Sequence, residues 1–236
     1  MRNKPLFILG CGPSLAECDV SRLSNCYTMA MKRAFLSFKD WGFDPTYYVS
    51  LDTVANVSNK QAIKTLIKKS KIKGFFFPKH ESSRFYSRRT RFVEIKSNCS
   101  DVNLDFKNVL HVANTGLFAL QIAIGLLHFR KIYLLGCDAN YEDKQTHYRK
   151  DYWKNIEHNP PGIKFHYPAW LLFYERYIKN NDRLEVFNCA KKGKLQFLPF
   201  CDFNRLDIKD AEINSGKSRR AYTRPSRKTG AKPSLP

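Results

Sequence analysis

The stretch from Asn114 to Asp138 constrains the fold more than any other part of the chain. Asn114-Thr115-Gly116 precedes a long apolar helix, Leu117 to Leu127. After it, Lys131-Ile132-Tyr133-Leu134-Leu135-Gly136-Cys137-Asp138 reads as a buried strand with a polar end. A helix feeding a buried strand is part of a βαβ unit, and such units build parallel sheets. The same alternation recurs along the chain. Leu6–Leu9, Tyr27–Met31, Tyr47–Leu51, Phe75–Pro78 and Leu184–Cys189 read as strands, with Phe92–Ile95 and Val109–Val112 as weaker ones. Phe35–Trp41 and Trp170–Ile178 read as helices. Val57, Ala62, Leu66 and Ile67, interleaved with lysines, predict one amphipathic helix over Val54–Ser70. The expected fold class is α/β: a Rossmann-like, mostly parallel sheet flanked by helices.

Asn140 to Ala169 breaks the alternation. It is polar, aromatic and rich in turn formers, including Pro160-Pro161-Gly162. So long a segment without regular structure is more often a functional lid than a connector. The expected organisation is therefore one nucleotide-binding domain over residues 1–208, with a lid at about 140–169. From residue 209 to 236 the chain has almost no large apolar residue and is expected to be disordered.

The formal net charge is +20. Eight Lys/Arg against two Asp/Glu from Lys209 onward leave the tail at +6 and the body at +14. The body's charge gathers in Lys60–Lys73 and Arg84–Arg91. A basic balance predicts anionic partners, although a charged helix face also serves solubility. The tail's basic residues would suit peripheral contact with an anionic membrane. No RNP-type or helix-turn-helix pattern points to a specific nucleic acid.

Seven cysteines show no C-x-x-C pair and no zinc spacing, so no metal site is expected. Cys137 and Cys189 sit in apolar runs and look like core thiols, which fits a reducing compartment. Nothing approaches the roughly 18 apolar residues of a membrane span, and Pro5–Leu9 is too short for a signal-peptide core. A cytoplasmic protein is expected, with room for contact at the inner membrane face. A homo-oligomer is left open.

In open α/β sheets ligands sit outside the carboxyl ends of the strands. That rule lines up Gly10-Cys11-Gly12-Pro13-Ser14-Leu15, Asp52, Asn114–Gly116 and Asp138 along one edge. The glycines permit a tight turn, and a following helix N-terminus would offer N–H groups to a phosphate. Gly10, Gly12, Pro13 and Ser14 are thus expected nucleotide contacts. Asn114, Thr115 and Gly116 have similar chemistry, though Asn114 or Thr115 also suits a helix cap. Asp52 and Asp138 close strands, where turn and cap roles compete with ligand contact. In the lid, Tyr141, His147, Tyr148, Tyr152 and His166 could hydrogen-bond a phosphate or act as a base near neutral pH. His158 adjoins an Asn-Pro-Pro turn and is a weaker candidate.

These landmarks, taken in order, resemble the bacterial sialyltransferases of glycosyltransferase family 42. They also resemble the related motility-accessory-factor and pterin-diphosphokinase-like domains. The shared features are the strand-Gly-x-Gly-Pro-Ser-Leu start and Asn114-Thr115-Gly116-Leu117-Phe118 with its apolar helix. Lys131–Asp138 followed by Tyr141, and His166 followed by a helix and Val186-Phe187-Asn188-Cys189, complete the set. The resemblance implies a metal-independent, inverting transfer from a CMP-activated nine-carbon sugar acid, with no cofactor beyond that donor. The partners it implies are the nucleotide-sugar donor and a surface glycan or glycolipid acceptor. It also implies that His166 is the general base, with His147 as rival, and that Tyr141 and Tyr148 hold the leaving phosphate. Cys11, Lys32 and Asp52 stand where the family carries asparagines. Two alternatives remain: a diphosphokinase-like enzyme with a metal at Asp52 or Asp138, or a non-enzymatic basic nucleotide- or nucleic-acid-binding module.

Overall fold

The computed structural model describes residues 4–96, 108–110, 114–140, 147–152, 154 and 166–213. Its centre is an eight-stranded sheet. The first four strands are β1 (Leu6–Leu9), β2 (Tyr27–Met31), β3 (Tyr47–Val49) and β4 (Gly74–Pro78). The others are β5 (Thr90–Lys96), β6 (Asn108–Leu110), β7 (Lys131–Leu135) and β8 (Glu185–Asn188). The helices are α1 (Phe38–Trp41), α2 (Thr53–Ser58), α3 (Lys60–Lys69), α4 (Ser82–Phe85), α5 (Thr115–Gln121) and α6 (His166–Phe173). The last two each run on into a π-helical turn, Ile122–Leu126 and Tyr174–Ile178.

Every strand pairing in the sheet is parallel. Parallel strands need both faces covered, which explains why Leu6–Leu9 and Phe75–Phe77 are apolar at every position rather than at every second one. All seven of these side chains are buried. Registered residues stack across strands: Phe7 on Tyr133 at 5.0 Å, and Tyr133 on Phe187 at 5.1 Å.

The strand order is β6-β5-β4-β3-β2-β1-β7-β8. The chain steps outward from β1 to β6, then returns through α5 to the other side of β1 to lay down β7. The order thus reverses between β1 and β7, and the loops leaving those two strands must part there. They first run in contact. Gly10 N–H donates to the Leu135 carbonyl at 2.7 Å and Gly12 N–H to the Gly136 carbonyl at 2.9 Å. A Cβ on Gly10 would lie 2.1 Å from the Gly136 oxygen, so the approach requires glycine. Gly136 itself has φ +63°, which glycine adopts without steric cost.

Several sequence expectations shift. The single helix expected over Val54–Ser70 is two. Asn59 ends α2 by returning its side-chain amide to the Ala55 carbonyl at 2.6 Å, and α3 restarts after it. The buried face of α3 is Ile63 and Ile67, while Val57 is exposed. The helix expected from Trp170 begins at His166, with Pro168 tolerated in its first turn. In Phe35–Trp41 the first part is a 3-10 turn, Lys32–Ser37. The first residues past the expected boundary at 209 are part of the fold. Lys209–Ala211 form a 3-10 turn, Ala211 is buried, and Ile213 N–H donates to the Asn25 carbonyl at 2.6 Å. Residues 214–236 lie outside the described residues. Among the described residues, no helix is long and apolar enough to cross a membrane.

Gly10→Ala is expected to cost about 3 kcal/mol or more, because the blocking atom is backbone and cannot rotate away. Gly42→Ala meets nothing within 4 Å and should cost only the left-handed penalty at φ +78°, about 1 kcal/mol. Urea denaturation of both variants checks this. Equal losses would contradict the close β1–β7 contact.

Candidate functional site

A cavity of about 70 Å³ lies at the reversal point, outside the carboxyl ends of β1, β2 and β7. Gly12 lines it from β1's loop, Lys32 from the end of β2, Asn114–Gly116 from the start of α5, and Gly136–Asn140 from β7's loop. Trp170 of α6 and the strap residues His147 and Tyr152 complete the wall. Three non-glycine residues among those described have positive φ: Lys32, His128 and Ala139. Two of them line this cavity, and backbone strain of this kind gathers at functional sites.

Two polar atoms in the wall have no hydrogen-bond partner among the described residues: Asn114 Nδ2 and Thr115 Oγ1. Their residues are only 9% and 2% exposed. Asn114 does cap α5, its Oδ1 accepting from Leu117 N–H at 2.9 Å, but that uses the oxygen and leaves the amide hydrogens. Leaving a buried donor unmade costs about 1–3 kcal/mol, so such a pair points to something that binds there. Gly116 is small for a local reason, since a Cβ would come 3.1 Å from the Trp170 ring.

The turn after β1 spends its backbone donors within the protein. Gly10 and Gly12 spend their N–H groups on β7's loop, and Leu15 N–H donates to the Gly12 carbonyl. Pro13–Glu17 is a short 3-10 turn, and Ser14 turns inward onto Asp138, its hydroxyl at 3.0 Å and its N–H at 3.4 Å from Oδ2. Gly10, Pro13 and Ser14 are not in the cavity wall. Gly12 is, but its lack of a side chain makes room for Asp138, whose Oδ2 would be 1.9 Å from a Cβ. The Asp138 carboxylate thus sits where a phosphate was expected. Burial raises its pKa, and the Ser14 hydrogen bonds offset only part of that rise.

Asp52 caps α2, accepting from Ala55 N–H at 3.1 Å, and pairs with Lys32 Nζ at 3.2 Å. Burial opposes its ionisation, but Lys32 and the helix N–H groups outweigh burial and hold the carboxyl below its ordinary value. It reaches the cavity only through Lys32. Tyr148 points elsewhere: its hydroxyl donates to Ser37 Oγ at 2.6 Å. Tyr141 lies outside the described residues. His166 opens α6 one turn before Trp170, and unlike Trp170 it is not in the cavity wall. His147 is in the wall, stacked on Tyr152 with ring centroids 3.7 Å apart.

The strap that carries His147 and Tyr152 is fastened from below. Tyr148 N–H donates to the Cys11 carbonyl at 3.0 Å, and Arg149 bridges Ser37 and Asp40. The guanidinium of Arg33 donates to the carbonyls of Tyr152 and Lys154. Sequence reasoning did not single out Arg33 or Trp170, nor Lys32 as a cavity residue. Lys32 was within reach, since it directly follows a strand at the carboxyl edge. Cys11 and Cys137 in the wall are thiols; burial pushes the former up to about 11 and raises the latter further. Among the described residues no group of three or more His, Cys, Asp or Glu is placed to hold a metal.

No protein-family model and no curated protein matches the chain. Solved structures share its fold. The sialyltransferase CstII from Campylobacter jejuni, in complex with the substrate analogue cytidine-5'-monophosphate, is 15% identical, with TM-score 0.56 over 91% of this chain and 92% of that one. The monofunctional alpha-2,3-sialyltransferase Cst-I from the same organism is 16% identical, with TM-score 0.52 over 90% and 86%. The MAf glycosyltransferase from Magnetospirillum magneticum AMB-1 is 13% identical, with TM-score 0.58 over 88% of this chain and 35% of that one.

Two outcomes follow from the cavity. Thr115→Val should fold at least as stably as the native chain, because it deletes a buried hydroxyl that has no partner. For Asp138 the folded pKa is raised, so its contribution to stability is present at low pH and is lost as pH rises through that value. Asp138→Asn should remove this pH dependence while keeping an oxygen for Ser14. Urea midpoints between pH 4 and 7.5 test both, and a large loss for Thr115→Val would contradict the geometry.

Proposed function

We propose that the chain is a glycosyltransferase that moves a sialic-acid-like sugar from a CMP-activated donor to a surface glycan or glycolipid, with inversion and without a metal. The observation that carries this reading is the pair of unmatched donors, Asn114 Nδ2 and Thr115 Oγ1, buried beside Lys32 at the sheet's reversal point. Donors and a cation suit the phosphate of a nucleotide. The fold shared with two sialyltransferases, one of them bound to cytidine monophosphate, supports the donor class.

Asp52 and Asp138 weigh against the diphosphokinase alternative, since one is committed to Lys32 and a helix cap and the other to Ser14. A cavity of about 70 Å³ is below the roughly 300–1,000 Å³ of small-molecule sites, so donor binding requires Tyr152 and His147 to swing aside. His166 is the base in this reading: it removes the proton of the acceptor hydroxyl as that oxygen attacks the anomeric carbon and CMP departs. Tyr141 remains a candidate for holding the departing phosphate. Tyr148 could do so only after releasing Ser37.

CMP should raise the melting temperature where UMP, GDP and ATP do not, and Thr115→Val should weaken CMP by about 10–100-fold. Transfer should be insensitive to EDTA. His166→Ala should lose roughly 10²–10⁴-fold in rate while keeping CMP affinity. If His147→Ala loses rate instead, the base is His147; if neither does, this mechanism is wrong.

A further inference from the structure

Between Thr53 and Lys73 the chain carries six lysines and no acidic residue. Among the described residues none of these lysines forms an ion pair, although eight Lys/Arg–carboxylate pairs occur elsewhere. Lys60, Lys64 and Lys68 follow one another at four-residue spacing and form a stripe along one flank of α3, beside its buried Ile63–Ile67 face. The arginine cluster divides differently. Arg84 is committed to buried Glu81, and Arg89 donates to the carbonyls of Ile67, Ser70 and Ile72, tying the chain after α4 to the end of α3. Arg88 and Arg91 are left exposed beside that end.

Large apolar side chains stand in solvent at both ends of this basic surface. Val54 is 60% and Val57 51% exposed on α2, and Tyr86 is 87% exposed just before Arg88. These are three of the six large hydrophobic side chains exposed among the described residues. A solvated charged face has no use for them, and neither has a surface that grips only phosphates. A bilayer interface takes both groups: lysines meet anionic headgroups while valine and tyrosine enter the headgroup boundary.

We infer that the α2–α3 surface, with Val54, Val57, Tyr86 and the Lys60-Lys64-Lys68 stripe, docks the protein on an anionic phospholipid bilayer. This contact is separate from the basic tail. It also lies near the cavity, because Asp52, which caps α2, pairs with Lys32, and Lys32 lines the cavity wall. A bilayer under α2 would place a lipid-linked molecule close to the cavity mouth. The docking itself does not depend on the catalytic reading.

The test is co-sedimentation of the full chain with phosphatidylcholine vesicles, with and without about 30% phosphatidylglycerol, enough anionic lipid for a strong surface potential. The native protein should bind only the anionic vesicles. Lys60→Gln/Lys64→Gln/Lys68→Gln should lower that partition about 100-fold. Val54→Asp/Val57→Asp should weaken it as well, while leaving any binding to duplex DNA no weaker than its added negative charge explains. Val54, Val57, Lys60 and Lys68 are exposed and Lys64 is half-buried, none of the three lysines forms an ion pair among the described residues, and unchanged thermal melts should accompany these losses. Native-like vesicle binding by the lysine variant would overturn the proposal. So would an aspartate variant that still binds vesicles fully while the lysine variant loses vesicles and DNA alike, because that pattern describes a nucleic-acid surface.

Discussion

The contact between the loops leaving β1 and β7 fixes where the walls of the cavity can stand. Two parallel neighbours end side by side at the point where the strand order reverses, and their loops must separate to opposite faces of the sheet. Before separating they are bonded backbone to backbone through Gly10 and Gly12, at distances that admit no Cβ on Gly10. Ser14 and Asp138 then close the seam. With the seam fixed, the start of α5 and the end of β2 face each other across a small gap, and that gap is the cavity. Gly10 and Gly12 therefore bring the walls together, and Gly12 is itself part of the wall.

Within the cavity, most polar groups are satisfied by the protein. Asp138 holds Ser14, Lys32 holds Asp52, and the Asn114 oxygen caps a helix. The exceptions, the Asn114 amide and the Thr115 hydroxyl, are donors. An unmatched pair of donors beside a lysine favours an acceptor-rich, negatively charged guest. The strap over the top works against entry. It is fastened at Ser37, Asp40 and Arg33, so part of any ligand's binding energy goes into moving it.

Much of the fold was legible because its strands are buried on both faces. The structure starts and ends Leu6–Leu9 where the apolar run does, and it starts β7 at Lys131 as expected but ends it at Leu135, before the polar end at Asp138. Boundaries set by a single side chain were not legible. The break at Asn59 depends on one amide turning back to one carbonyl, and Lys209–Ile213 are ordered by contacts with Asn25 and Cys26, far away in sequence. The site was half legible for the same reason. Asn114–Gly116 and Asp138 follow from the carboxyl-edge rule, which depends only on topology. The inward turn of Ser14 and the diversion of Tyr148 to Ser37 are tertiary choices that local pattern does not encode.

In the proposed function a cytidine nucleotide enters between β1 and β7 against the start of α5. Hydrogen–deuterium exchange with and without CMP tests it most directly. The expected result is slower exchange at the amides of Asn114–Leu120 and Gly136–Asn140, with faster exchange in the strap at 147–152 as it lifts. Protection confined to other parts of the chain, or no change at saturating CMP, would contradict it.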